Sequence, residues 1–211
     1  MKDLYIIGAG GFGRKVLTIA KDIEPTQDKW RIKGFLNSKG YMDAIDDIDT
    51  GEYTICESLE SHMISDENVY VFAIADVNVR ERMCTELSKK GAEFINLIHP
   101  TAYVTNTSVL GNGIIITPLS LVSVNTFIGN HVIINGARVG HDAIIKDYCT
   151  LGPQSCVLGY CTVEKKVTLG CNACVHPHVR VSEGTIVGMG SVVIRNTPPN
   201  STIFGIPAVK I

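Results

Sequence analysis

The sequence predicts two architectures in tandem: an α/β half-domain over residues 1–98, then an all-β parallel solenoid of hexapeptide repeats over residues 99–211. Three observations carry that reading. The apolar run Leu4-Tyr5-Ile6-Ile7 ends in Gly8-Ala9-Gly10-Gly11-Phe12-Gly13 and leads into an amphipathic stretch with Val16, Leu17, Ile19 and Ala20 apolar. From Val104 an aliphatic residue recurs at every sixth position, and from Val139 to Val193 the recurrence is unbroken. Four residues after each rung from Val139 to Val187 stands a small or β-branched residue: Ala143, Cys149, Ser155, Cys161, Val167, Ala173, Val179, Thr185 and Ser191. Two ladders in phase at a period of six fit neither an α-helix nor an alternating strand. They mark a solenoid whose short parallel strands stack coil upon coil.

In the first half-domain, strand, glycine turn and helix follow one another in the order that aims backbone N–H groups and a helix N-terminus at a phosphate. Gly8, Gly10 and Gly13 satisfy the GxGxxG spacing, which also serves simply to pack a helix tightly on a strand. A second strand is expected over Ile32–Leu36, a third over Val69–Ile74, a helix over Asn78–Lys90 and a fourth strand over Phe94–Ile98. The acidic stretch Asp43–Glu52 lacks the alternating oxygen ligands of a calcium loop and reads as a solvated turn. In a dinucleotide-binding domain an acidic residue closes the second strand and holds the ribose; here that position is Asn37. The size of this half suits one mononucleotide and is cramped for a dinucleotide, which weighs against a nicotinamide-dependent enzyme.

His99-Pro100 marks the junction, since proline discourages continuation of either element. The ladder then runs Val104, Leu110, Ile116, Val122, Ile128, Ile134, takes one step of five to Val139, and continues in sixes. A local adjustment of the backbone must absorb the missing residue. The tail from Ser201 is expected to cover the open end of the solenoid and block edge-to-edge pairing.

Composition narrows the functions. Nineteen Lys and Arg against 21 Asp and Glu leave a formal charge of −2, which gives no reason to expect a nucleic-acid partner. No apolar run approaches the roughly 18–20 residues of a transmembrane helix, so no membrane insertion is expected. The chain enters a strand at once, without signal-peptide architecture. Two of its seven cysteines, Cys149 and Cys161, fall on the small-residue ladder and read as buried thiols. The expectation is a reduced, cytoplasmic protein.

The candidate chemistry is His141-Asp142. A histidine can take a proton near neutral pH, and a carboxylate beside it can fix the tautomer and stabilise the imidazolium. The same pair could be an ordinary turn on the solenoid surface. His176 and His178 flank Pro177 without further metal ligands at suitable spacing, and Cys171-x-x-Cys174 has no second pair, so no metal is expected. His99 reads as a junction residue and His131 as a surface turn.

Several segments together resemble the NeuD/PglD-like sugar acyltransferases of the hexapeptide-repeat superfamily: IIGAGGFGRKVL, FAIADVNVR, NLIHPTAYV, IINGARVGHDAIIKDY and GIPAVK. The resemblance spans nearly the whole chain. It implies an N-terminal Rossmann-like half-domain followed by a left-handed parallel β-helix of hexapeptide repeats, with about 18 residues to a coil. It implies acetyl-CoA as co-substrate and a nucleotide-linked amino sugar as acceptor, N-acetylated at a 4-amino group for bacterial surface glycan synthesis. It also implies a homotrimer with each site between two β-helices. O-acetylation of a sugar such as sialic acid is the alternative, and a non-catalytic trimeric nucleotide-sugar-binding scaffold is the alternative of another class. Carried onto this chain, the base is His141 and its partner Asp142. Gly159, one coil above His141, offers a backbone N–H to the thioester. Cys171, Gly188, Met189 and Gly190 line the CoA cleft. Gly10, Gly11, Phe12 and Asn37 form the nucleotide pocket, with Ala73, Ala75 and Asp76 at its rim. The chain departs from the family pattern at Phe12 and Thr150, where many members carry histidine, and in the Asn135-Gly136 turn, which is one residue short.

Overall fold

The computed structural model describes residues 1–46 and 48–211, and the chain divides into two units, Met1–His99 and Pro100–Ile211. The acidic stretch expected to form a solvated turn includes Asp47, which lies outside the described residues.

The first unit is built on a parallel sheet of strands β1 (Lys2–Ile7), β2 (Trp30–Asn37), β3 (Ile55–Ser58) and β4 (Asn68–Phe72) in the order β3-β2-β1-β4. Helix α1 (Gly11–Ile23) follows β1 and turns Gly13, Val16, Leu17, Ile19 and Ala20 inward. Helix α2 (Val77–Lys89) follows β4 and is capped by Asp76, whose carboxylate accepts the N–H groups of Asn78 and Val79 at 2.9 Å each. The glycines of the first turn have distinct reasons. Gly8 has φ +103°, and a Cβ on Gly13 would stand 1.9 Å from the Gly8 carbonyl oxygen. Only hydrogen fits where the helix leaves the strand so closely.

Sequence and structure part at three places in this unit. Strand β4 stops at Phe72, so Ala73 and Ile74 lie in the loop beyond it. The strand expected over Phe94–Ile98 is a single bridge from Phe94 to Tyr70 and a two-residue strand at Leu97–Ile98. Strand β3 was not expected, because Ile-Cys-Glu-Ser is short and carries no apolar alternation. It pairs at the sheet edge beside β2, where partial exposure tolerates polar residues.

The second unit is a parallel β-helix. Two-residue strands fall on three sheets in turn. The first face takes Tyr103–Val104, Leu121–Val122, Arg138–Val139, Cys156–Val157, Cys174–Val175 and Val192–Val193. The second takes Val109–Leu110, Phe127–Ile128, Ile144–Ile145, Thr162–Val163 and Arg180–Val181. The third takes Ile115–Ile116, Ile133–Ile134, Thr150–Leu151, Thr168–Leu169 and Ile186–Val187. The second residue of each strand from Ile116 onward is the expected aliphatic rung, and those rungs are buried. The small ladder is buried too, from Ala143 and Cys149 through Ser191.

From Leu119 to Gly190 each corner carries one residue in the left-handed region, at Leu119, Asn125, His131, Gly136, Asp142, Tyr148, Gln154, Tyr160, Lys166, Asn172, His178, Gly184 and Gly190. The small residue follows directly, so the chain turns inward at a point with little room. The five-residue step falls wholly in the Asn135–Ala137 corner. Ile134 still pairs with Leu151, and Val139 with Val122 and Val157. A glycine at the left-handed position lets this corner close with one residue fewer. At the far end Thr202–Gly205 extends the third face from Ile186–Val187, and Ala208–Lys210 pairs antiparallel along it. His131 is a correction: it is 7% exposed and stacks on Tyr148 with centroids 5.3 Å apart, because the next coil's ring lies on top of it.

Candidate active site

The first unit holds one group of candidate residues and the second holds two. In the first, the carboxyl ends of β1, β2 and β4 surround an open cavity of about 310 Å³ lined by Gly8, Ala9, Gly10, Phe12, Asn37, Tyr41, Ala44, Ala73, Ile74 and Ala75. Strands β1 and β4 are sheet neighbours whose helices leave in succession. This is the switch point at which open α/β sheets bind ligands. The N-terminus of α1 opens at this cavity with no acidic residue in its first turn, so it favours an anion.

Of the expected pocket residues, Gly10, Phe12, Asn37, Ala73 and Ala75 line the cavity. Gly11 begins the helix beside it. Asp76 is engaged in capping α2. The Asn37 side-chain N–H donates to the Tyr41 carbonyl at 2.8 Å, which fixes the short turn that carries Tyr41 over the cavity. Three residues escaped the sequence reading. Tyr41 and Ala44 come from the loop after β2, where no pattern signals them. Arg80 is 1% exposed and donates from Nη1 to the carbonyls of Ile74 and Ala75 at 2.9 and 3.0 Å, bracing the rim from beneath. An arginine at a helical position facing the sheet was the available signal. His99 is held by Asp22, with Nε2 and Oδ2 3.1 Å apart.

In the second unit, His141 and Asp142 occupy the corner between the first and second faces. His141 Nδ1 lies 2.8 Å from Asp142 Oδ2. The carboxylate can only accept, so Nδ1 carries the hydrogen and Nε2 of the neutral ring is the free base. The His141 side chain is 52% exposed, so the base is reachable. The hydrogen bond from His141, and then that from Asn125, hold the Asp142 carboxyl below the usual carboxylate range, against partial desolvation. A lowered value keeps Asp142 ionised at neutral pH, and its hold on the imidazole is lost only as pH falls through that lowered value.

Gly159 lies one coil above, as the 18-residue coil requires. A Cβ built there would stand 2.7 Å from both Cε1 and Nε2 of His141, so the imidazole rests directly on the glycine. The N–H of Gly159 is claimed by no acceptor among the described residues, although its carbonyl accepts from His178. The short Asn135–Ala137 corner therefore leaves this arrangement in place.

Cys171, Gly188, Met189 and Gly190 meet elsewhere, at the corner between the third and first faces. The Gly190 N–H donates to the Cys171 carbonyl at 2.8 Å, and the Met189 side chain is exposed. Within one chain these four stand along a different edge of the solenoid from His141. Thr150 begins a third-face strand, away from the His141 corner. Among the described residues no three His, Cys, Asp or Glu side chains group as a metal site, and no helix is long and apolar enough to cross a membrane.

Comparison with known proteins agrees. The PglD N-terminal domain family matches residues 3–87. GDP-perosamine N-acetyltransferase of Escherichia coli O157:H7 is 30% identical over 98% of this chain and 95% of its own length. The crystal structure of PerB from Caulobacter crescentus, in complex with CoA and GDP-perosamine, is 26% identical and superposes with a TM-score of 0.87 over 100% of this chain and 98% of its own. WeeI from Acinetobacter baumannii is 25% identical, with a TM-score of 0.87 over the full length of both chains. The fold and these relatives together define a left-handed β-helix acyltransferase. Within that class the chain belongs to the NeuD/PglD-like hexapeptide-repeat sugar acyltransferases.

Proposed function

We propose that the protein transfers the acetyl group of acetyl-CoA to the 4-amino group of a nucleotide-linked sugar, in the cytoplasm, for bacterial surface glycan synthesis. The observation that carries this reading is the His141 imidazole lying on Gly159 with Nδ1 held by Asp142 and Nε2 free. The first unit holds the nucleotide at the α1 N-terminus, in the cavity of Gly10, Phe12, Asn37, Ala73 and Ala75. The relatives favour GDP as the nucleotide, and GDP-perosamine is the first acceptor to try.

The chemistry follows from the corner. His141 Nε2 takes a proton from the acceptor amine as the nitrogen attacks the thioester carbonyl. Asp142 stabilises the imidazolium that forms. The Gly159 N–H meets the oxygen that gains charge, a contact worth about 3–4 kcal/mol in a preorganised oxyanion hole. When the C–S bond breaks, the imidazolium returns its proton to the departing sulfur. The products are an amide and CoA thiol, with no net proton or electron left over.

The CoA residues Cys171, Gly188, Met189 and Gly190 serve a neighbouring copy's histidine. Their placement on another edge than His141 supports a homotrimer with sites shared between copies. The deciding experiment follows thiol release from acetyl-CoA with GDP-perosamine and with UDP- and dTDP-linked 4-amino sugars. His141→Ala is expected to abolish turnover while the oligomer stays intact; full activity in that variant would sink the mechanism.

A further inference from the structure

We propose that Tyr41 is a specificity-determining residue of the first unit's cavity, its ring the platform on which the base of a purine nucleoside diphosphate stacks. The inference rests on the nucleotide reading of that cavity above and names the residue that selects the base. Small residues make most of the wall, and no charged side chain lines it. Two flat side chains do, Phe12 from the first turn of α1 and Tyr41 from the loop after β2. A neutral, planar ring is the chemistry such a wall accepts.

The place of Tyr41 fits the base and not the phosphates. The N-terminus of α1 takes the anionic end of a nucleotide. Asn37 closes β2 and donates from Nδ2 to the Tyr41 carbonyl at 2.8 Å. Its Oδ1 accepts nothing among the described residues, which leaves it open to a ribose hydroxyl. Tyr41 ends the short turn Lys39–Tyr41 that follows. Phosphate, ribose and base then meet α1, the end of β2 and the turn beyond it, in the ligand's own order.

The backbone of this turn is locked while the ring is uncovered. The Tyr41 N–H donates to the Ser38 carbonyl at 2.8 Å, and its carbonyl also accepts from the Ala44 N–H at 3.3 Å. The other tyrosines of the first unit all have ring partners. Tyr5 and Tyr70 stack with centroids 6.1 Å apart, and Lys21 Nζ stands 4.8 Å from the Tyr53 centroid. The Tyr41 ring has no such partner among the described residues, and the residue is 67% exposed. A lone exposed aromatic signifies little. One fixed by its backbone beside a cavity loses little freedom when a flat ligand covers it. Stacking grows with overlapped area, so a two-ring base gains more from the platform than a single ring.

The test is a calorimetric titration of GDP, with UDP beside it, into the full-length protein and its Tyr41→Leu and Tyr41→Phe variants. Wild type is expected to bind GDP more tightly than UDP. Tyr41→Leu is expected to weaken GDP about tenfold and to shrink its lead over UDP. Tyr41→Phe keeps the ring and is expected to stay within about twofold of wild type. Unchanged GDP affinity in Tyr41→Leu overturns the proposal; if light scattering shows the oligomer lost as well, the ring serves a contact between copies instead. An equal loss in Tyr41→Phe also overturns it, because the hydroxyl and not the ring face would be responsible. A wild type that binds no GDP would refute the nucleotide cavity and the proposal with it. The titration needs neither acetyl-CoA nor His141. A protein that binds GDP through Tyr41 without transferring acetyl would therefore refute the acetyltransferase reading and leave this inference standing.

Discussion

The separation between Gly159 and the imidazole of His141 leaves no room for a methyl group. A Cβ at Gly159 would come within 2.7 Å of Cε1 and Nε2, where real Cβ contacts essentially never fall. Gly159→Ala is therefore expected to push the ring off its resting place while the coil pairing survives. A displacement of about 1 Å in a reacting group costs on the order of 100-fold in rate. The measurement is kcat beside a thermal melt; unchanged kcat would mean that the imidazole does not work from this position. The coil of about 18 residues that the family resemblance implies disclosed this contact, since Gly159 follows His141 by 18 residues. What spacing could not disclose is that the ring rests against the glycine and that Asp142 is shared with Asn125. Those are rotamer choices, made by neighbours on adjacent coils.

The unit of construction at the element scale is the corner: a left-handed residue, then a small buried one. Asparagine, aspartate and histidine fill several left-handed positions, as their conformational preferences allow, but Leu119, Tyr148, Gln154 and Lys166 also adopt it. The coil imposes the conformation and the residue accepts the strain. Gly136 is the case where the strain has no relief, because its corner is one residue short. Nothing but the Pro118 carbonyl oxygen, at 4.0 Å, lies near its missing Cβ, so only φ of +61° stands against a side chain. Gly136→Val is expected to cost about 1–3 kcal/mol, read as a lower urea midpoint with an unchanged slope. A midpoint within error of wild type would show that this corner has conformational freedom to spare. The five-residue step was legible in the sequence; its harmlessness was not. Register is decided by pairing on all three faces, and Ile134, Val139 and Leu151 keep theirs. Strand β3 was illegible for the opposite reason, as Ile55–Ser58 owes its strand to the β2 edge it meets.

At the scale of the whole molecule, the His141 corner and the corner of Cys171 and Met189 stand on two different edges of one solenoid. If one copy's His141 works with another copy's Met189, two inactive variants can repair each other. His141→Ala and Met189→Asp, each inactive alone, are expected to recover about a quarter of wild-type activity after unfolding and refolding together in equal amounts, by random assembly of a cyclic oligomer. No recovery would place the whole site within one chain. The sequence by itself determined the fold of both units and the His141-Asp142 pair, and, with the coil length that the family resemblance implies, the glycine above it, because a fixed period then converts residue number into position on a coil. The glycine turn did the same for the first unit, since Gly8 and Gly13 admit only the close strand-to-helix turn seen there. Only the tertiary structure decided which groups surround those residues. Tyr41 reaches the first unit's cavity through a loop with no period, Arg80 braces its rim from a buried helical face, and Tyr160 closes on His141 from the next coil. Such contacts depend on the direction each side chain takes when its neighbours are packed, which no spacing along the chain encodes.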